Sequence, residues 1–286
     1  MVTGDNNIRQ NLNKTAPTLN SSALKACHAV INLRHDGFSA LICNREKTIV
    51  LALYDARWNW TENEELLISR TEEGLVSLPY NVHHCLSLSW IFSFQKFTLI
   101  PDDLYTKGTG QELLNYTCKL QEGEHIYTDV WSDQQSVLIY ALPQVLINWL
   151  KDRYAHSLFM HSGTALSRLY RQNAQSTTYA HLFIENRIAE LFVARNGRLL
   201  FYNSFPHKVE EDLVYFLLFA LEQSGIPAPE IELQLSGKHM RGDKLEILLR
   251  NYIGDLRSGT MPDALKLSPN INLAEMRQHI NLAGGL

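Results

Sequence analysis

The chain has 286 residues, a length that suits two domains or one large one. Hydrophobic residues make up 45% and charged residues 20%, and 26 Lys+Arg against 30 Asp+Glu leave a net charge of −4. These figures exclude a disordered, collagen-like, disulfide-framework or membrane-spanning chain, and they give no global electrostatic case for binding nucleic acid or an anionic membrane.

The first 25 residues carry five asparagines (Asn6, Asn7, Asn11, Asn13, Asn20) and little periodic apolar content, which predicts a mobile tail over 1–25. They contain no basic region followed by an apolar core, so a cytoplasmic location is expected. Cys27, Cys43, Cys85 and Cys118 lack CxxC spacing and read as reduced, buried thiols.

Three strand-like runs follow: Cys27 to Leu33, Phe38 to Cys43, and Thr48 to Tyr54. The turn Arg34-His35-Asp36-Gly37 joins the first two, with Gly supplying the positive φ of a tight hairpin. Residues 56–124 read as an insertion. It holds a polar helix (Glu62 to Arg70), a strand pair (His83 to Trp90, Ser93 to Ile100) and a helix (Gly110 to Lys119). Strands near His125 to Val130 and Ser136 to Ala141 come next. A helix from Leu142 to Tyr154, a strand (His156 to Met160) and a helix (Thr164 to Gln172) close the half.

The meander then returns as Tyr179 to Glu185, Arg187 to Ala194 and Leu199 to Asn203, with Asn196-Gly197 as a second tight-turn signal. A helix spans Lys208 to Ser224, with Glu210, Glu211 and Asp212 in its first turn and apolar residues over most of its circumference. A strand (Ile231 to Leu235) follows, then the break Ser236-Gly237-Lys238. The last predicted helix is capped by Asp243 with Glu246 and stopped by Gly254. Two matched meanders suggest an internal duplication, with lobes at 26–174 and 175–286.

A duplicated β-meander followed by α-β-α, with an insertion in the first copy, resembles the actin-like ATPase superfamily of actin, Hsp70 and sugar kinases. It is similar to the pilus-assembly and type II secretion cytoplasmic proteins. The stretches Lys96-Phe97-Thr98-Leu99-Ile100-Pro101 and Tyr140 to His161 resemble an uncharacterised bacterial domain-of-unknown-function family of this fold. The resemblance implies a duplicated α/β (ribonuclease H-like) architecture: two lobes, each a mixed sheet flanked by helices. In the superfamily each lobe offers an Asp-x-Gly hairpin whose N–H groups approach the phosphates of ATP, while the acids hold Mg²⁺ through water. A side chain there blocks backbone approach.

Here the first hairpin reads Asp36-Gly37-Phe38 and the second Glu185-Asn186-Arg187, so Phe38 and Arg187 replace the required glycine. Ser236-Gly237-Lys238 partly matches the Gly-Gly pair that admits adenosine. The expectation is a degenerate pseudo-ATPase with no catalytic residue, metal or cofactor, acting as a scaffold for another protein or for self-association through a strand edge. The alternative is a working ATPase or kinase in which Asp36 and Glu185 hold Mg²⁺ and Arg187 contacts phosphate. His83-His84-Cys85 lacks metal-ligand spacing and reads as structural. Trp58, Trp60, Trp90, Phe92, Phe94 and Phe97 read as core packing, with a partner surface as the other reading.

Overall fold

The computed structural model describes residues 8–170, 178–239 and 242–286. The chain divides into two compact units. The first takes the chain up to Ala165 together with Asp263–Asn272 and Asn281–Leu286, and the second takes Leu166–Pro262 and Leu273–Ile280.

In chain order the first part contains β1 (Arg9–Thr15), α1 (Ser21–Leu24), β2 (His28–Arg34), β3 (Gly37–Cys43), β4 (Ile49–Arg57), α2 (Glu64–Val76) and β5 (Ser87–Phe92). It continues with β6 (Phe97–Pro101), α3 (Gly110–Asn115), β7 (Glu124–Trp131), β8 (Ser136–Pro143), α4 (Gln144–Arg153), β9 (Leu158–His161) and α5 (Ser162–Tyr170). The main sheet has the order β1-β4-β3-β2-β5-β9. β2, β3 and β4 form the antiparallel meander, while β5 and β9 run parallel to β2. β2, β3 and β5 are buried almost throughout, which is why they read as continuous apolar runs rather than alternating ones. Asn63 caps α2 by accepting the Leu66 N–H at 2.8 Å. Gly74 lets α2 lie close to the sheet, since a Cβ there would stand 2.5 Å from the Phe38 ring.

Three expectations need correction here. The tail over 1–25 is structured from Arg9 on: β1 pairs antiparallel with β4, so the ladder compensates for the missing apolar periodicity. Residues 1–7 lie outside the described residues. The two strands expected as a pair over His83 to Trp90 and Ser93 to Ile100 do not pair with each other. β5 enters the main sheet beside β2, and β6 joins β8 and β7 in a separate three-stranded sheet, so the added element runs from β6 to β8 rather than over 56–124. Third, the end of the chain does not all belong with the second lobe. A short strand, Lys266–Leu267, pairs with β4 of the first unit.

The three-stranded sheet is fixed to the main one by polar contacts around Asp129 on β7. Asp129 accepts the Tyr140 hydroxyl (3.1 Å), the His161 N–H (2.9 Å) and the Thr164 hydroxyl (2.6 Å). Trp131 Nε1 donates to Thr164 Oγ1 at 2.9 Å. Trp58, Trp90, Phe92, Phe94 and Phe97 are buried and Trp60 is half-buried, so this aromatic run is core packing.

The rest of the chain holds β10 (Thr178–Ile184), β11 (Ile188–Arg195), β12 (Arg198–Pro206), α6 (Glu210–Gln223), β13 (Glu232–Gly237), α7 (Lys244–Leu249), β14 (Asp255–Ser258) and α8 (Leu273–Gln278) of the second unit, with the short strand β15 (Lys266–Leu267) belonging to the first. The sheet of the second unit has the order β12-β11-β10-β13-β14. This matches β4-β3-β2-β5-β9 of the first unit position by position. The first two pairings are antiparallel and the last two parallel in both. Asn196 (φ 52°) and Gly197 (φ 74°) make the β11–β12 turn that Asn-Gly announces. Asp243 caps α7 by accepting the Glu246 N–H at 3.0 Å, and Glu246 accepts the Gly242 N–H in return. Among the described residues no helix is long and apolar enough to cross a membrane.

Candidate functional site

The first hairpin closes β2 onto β3 through His35 and Asp36. Asp36 is buried, and its carboxylate lies 3.4 Å from Nε of Arg34. The same guanidinium donates to Asp55 Oδ1 at 3.0 Å and to Ser39 Oγ at 3.1 Å. Asp55 also meets Arg57 at 3.3 Å, and it accepts Asn11 Nδ2 from β1 at 3.2 Å. Arg34 is 4% and Asp55 1% exposed, so this is a desolvated ion network that stands only because each charge is answered.

Gly37 has a reason to be glycine that involves no ligand. A Cβ would stand 2.2 Å from the Ala56 carbonyl and 3.1 Å from the Arg34 guanidinium. The sequence expectation for Phe38 is corrected here. Phe38 does not stand in the turn; it is fully buried beneath α2, stacked on Tyr54 with centroids 5.6 Å apart. The group at this hairpin is Arg34, two residues before the acid. Its signal in the sequence is a cation inside the turn tetrad Arg34-His35-Asp36-Gly37. His35 itself stacks between Phe94 (4.3 Å) and Trp60 (4.9 Å), and burial lowers the pKa of its imidazole.

In the second unit the structure brings five predicted residues to one end of one sheet. Ile184, the last residue of β10, is in register with Gly237 at the end of β13, so Glu185 follows β10 at the sheet end where Ser236, Gly237 and Lys238 close β13, and Arg187 stands just before β11 at that same end. Glu185 is half-buried, and Asn186 and Arg187 are exposed. The Glu185 N–H donates to Ile188 O at 2.8 Å, and the His207 N–H donates to Arg187 O at 2.9 Å. Gly237 (φ 91°) would place a Cβ 2.0 Å from Ile184 O, and Lys238 donates its N–H to that same carbonyl at 2.6 Å. The close approach of two strands therefore requires this glycine. Ser236 is 1% exposed and its hydroxyl lies 2.6 Å from His181 Nε2.

Sequence reasoning missed His181. It is buried on β10, with Tyr179 OH 3.3 Å from Nδ1 and the Tyr170 ring 3.6 Å away, and burial drives its pKa well below the usual value. The first unit has a matching link: Ser93 donates to Asn32 at 2.9 Å. Asn32 is in register with Ile91 and His181 with Gln234, two residues before Ser93 and Ser236 respectively. A polar bond thus reaches from β2 to the residue just after β5 in the first unit, part-buried, and from β10 to β13 in the second, fully buried, at the same place in the register. Ser236 and His181 serve the latter bond, and both are buried.

Two sheets that share one five-strand order, β4-β3-β2-β5-β9 and β12-β11-β10-β13-β14, with a hairpin at the end of β2 and of β10, have the arrangement of the actin-like ATPase fold. A Bacteroides thetaiotaomicron protein with this fold and unknown function superposes with a TM-score of 0.76 at 18% identity, over 92% of this chain and 98% of that one. A chain of the PilM–PilN type IV pilus biogenesis complex gives 0.58 at 13% identity, over 91% and 97%. The chain belongs to a family of proteins of unknown function (DUF3822), whose pattern matches residues 16–256. No curated protein matches it.

Proposed function

We propose that this protein is a non-catalytic scaffold that uses an actin-like architecture to engage another protein, without nucleotide turnover. The observation that carries this reading is the Arg34–Asp36 contact. An acid that is to hold Mg²⁺ beside ATP must offer its charge to the metal, and here a guanidinium already answers it. Displacing that partner would leave Arg34 buried with one carboxylate fewer, a costly change in a desolvated network. On this reading the acid of the first hairpin serves its own ion network rather than a magnesium–nucleotide complex. A role in protein contact is favoured by the similar structure of a protein–protein complex, PilM–PilN.

The rival reading is an ATPase or kinase with atypical phosphate loops. What supports it is that Glu185 and the Ser236, Gly237 and Lys238 stretch stand at the neighbouring ends of β10 and β13. Thermal unfolding with and without Mg²⁺ and ATP separates the two. A ligand at 100 times its Kd stabilises by about 2.7 kcal/mol, which moves Tm by roughly 5 °C or more for a chain of this size. The scaffold reading expects no such shift with millimolar Mg·ATP. A shift of that size, with phosphate release, would establish the rival.

A further inference from the structure

We propose that the outer edge of β12 is the surface through which two copies of this chain associate, strand against antiparallel strand. The inference is independent of the partner-binding reading above. It rests on a contrast between two equivalent places in the fold. β4 and β12 occupy the same position in their sheets, and α2 and α6 the same position in the chain order. In the first unit, β1 pairs along β4 and covers that edge. In the second unit β12 is the terminal strand, and among the described residues no strand pairs with its outer side.

The helices differ in the same sense. Within α2 the exposed residues are Glu65, Ser69, Glu72 and Glu73, with Val76 as its last residue. α6 instead exposes Tyr215 (63%) and Phe219 (47%), one turn apart and stacked with centroids 6.2 Å apart. This pair continues into β12: Tyr215 touches Phe216 at 5.5 Å, Phe216 stacks on Phe205 at 4.6 Å, and Phe205 stacks on Phe201 at 6.1 Å. An aromatic strip thus runs from the exposed helix face to the edge strand. Leu200, on β12 itself, is 43% exposed.

A second copy is the occupant that this chemistry suits. Leu199 to Phe205 carries no charge, so pairing the strand with itself sets no like charges opposite one another. Within the strand no charge or proline stands between the exposed Arg198 at its start and Pro206 at its end, so its middle lacks the devices that keep edges apart. A twofold axis through such a pair sets the same face on both copies, so each aromatic strip meets its equivalent. Aromatic anchors of this type carry a large share of interface energy.

Sedimentation of the full chain from 1 to 100 µM tests this. A concentration-dependent dimer is expected, weakened at least tenfold by Tyr215→Glu with Phe219→Glu, with an unchanged far-UV spectrum as the folding control. As a second readout, Asn203→Cys is expected to give a disulfide-linked dimer on mild oxidation, and the unaltered chain is not. A monomer throughout the range overturns the proposal, and so does a dimer that survives the double substitution at full strength or an Asn203→Cys chain that never cross-links. Loss of the monomer's fold in the double variant moves the decision to the cysteine variant alone.

Discussion

Acid should weaken the first unit through one histidine. His161 ends β9 and is 1% exposed. The Gly163 N–H donates to its Nδ1 at 3.0 Å, so Nδ1 is the acceptor, and Nε2 donates to Phe94 O at 2.8 Å. Both ring nitrogens are thus committed in the neutral form. Burial lowers the pKa from 6.5 to about 4, against the opposing pull of the Phe94 carbonyl. The sign follows from proton counts. The unfolded chain binds a proton at about 6.5 and the folded chain does not until about 4, so stability falls as pH drops through that window. At about 1.4 kcal/mol per pH unit, the full loss is about 3 kcal/mol, of which about 2 kcal/mol falls between pH 7 and pH 5. Urea unfolding of the natural chain and of His161→Asn at both pH values isolates it. The variant has its own packing cost, but that cost is the same at both pH values. The buried His35 and His181 contribute equally to both proteins. The natural chain should lose about 2 kcal/mol more than the variant between pH 7 and 5. Equal losses in the two proteins would refute the assignment.

Arg34→Met should cost about 3–5 kcal/mol in denaturant unfolding, because it removes the cation that the buried Asp36 and Asp55 share, although Arg57 still meets Asp55. A cost below about 1 kcal/mol would mean that the network is solvated rather than buried. The cysteines should react slowly with a thiol reagent while the chain is folded. Burial raises the pKa of Cys43 to about 11 and of Cys85 to about 12, leaving a thiolate fraction at pH 8 of about a thousandth or less. All four should react in denaturant; rapid labelling of Cys43 in the native protein would contradict its burial.

The meanders were legible because period-2 and both-face apolar runs, punctuated by Asp-Gly and Asn-Gly, are local signals that the sheet confirms. The cap of α7 was equally local, with Asp243 and Glu246 three residues apart. β1 was not legible. Its segment Arg9–Thr15 is polar and mostly exposed, and its stability comes from backbone bonds to β4, more than 40 residues away in several pairs. β5 and β6 looked like one strand pair because both are apolar and close in sequence, and only long-range register separates them into two sheets. At the hairpins, the acids and glycines were visible while their employment was not. Phe38 appeared to fill a turn, yet alternation along β3 sends it into the core. Arg34 appeared to be an ordinary turn cation, and only its burial makes it the partner of Asp36. His181 and Ser236 lie 55 residues apart, and no spacing rule links them.

The most direct measurement is equilibrium dialysis of the full chain against labelled ATP with Mg²⁺. If Asp36 is committed to Arg34, no saturable binding should occur up to about 1 mM nucleotide, a Kd corresponding to about −4 kcal/mol. Saturable binding in the micromolar range, abolished by Asp36→Asn, would show that the carboxylate serves a magnesium–nucleotide complex after all.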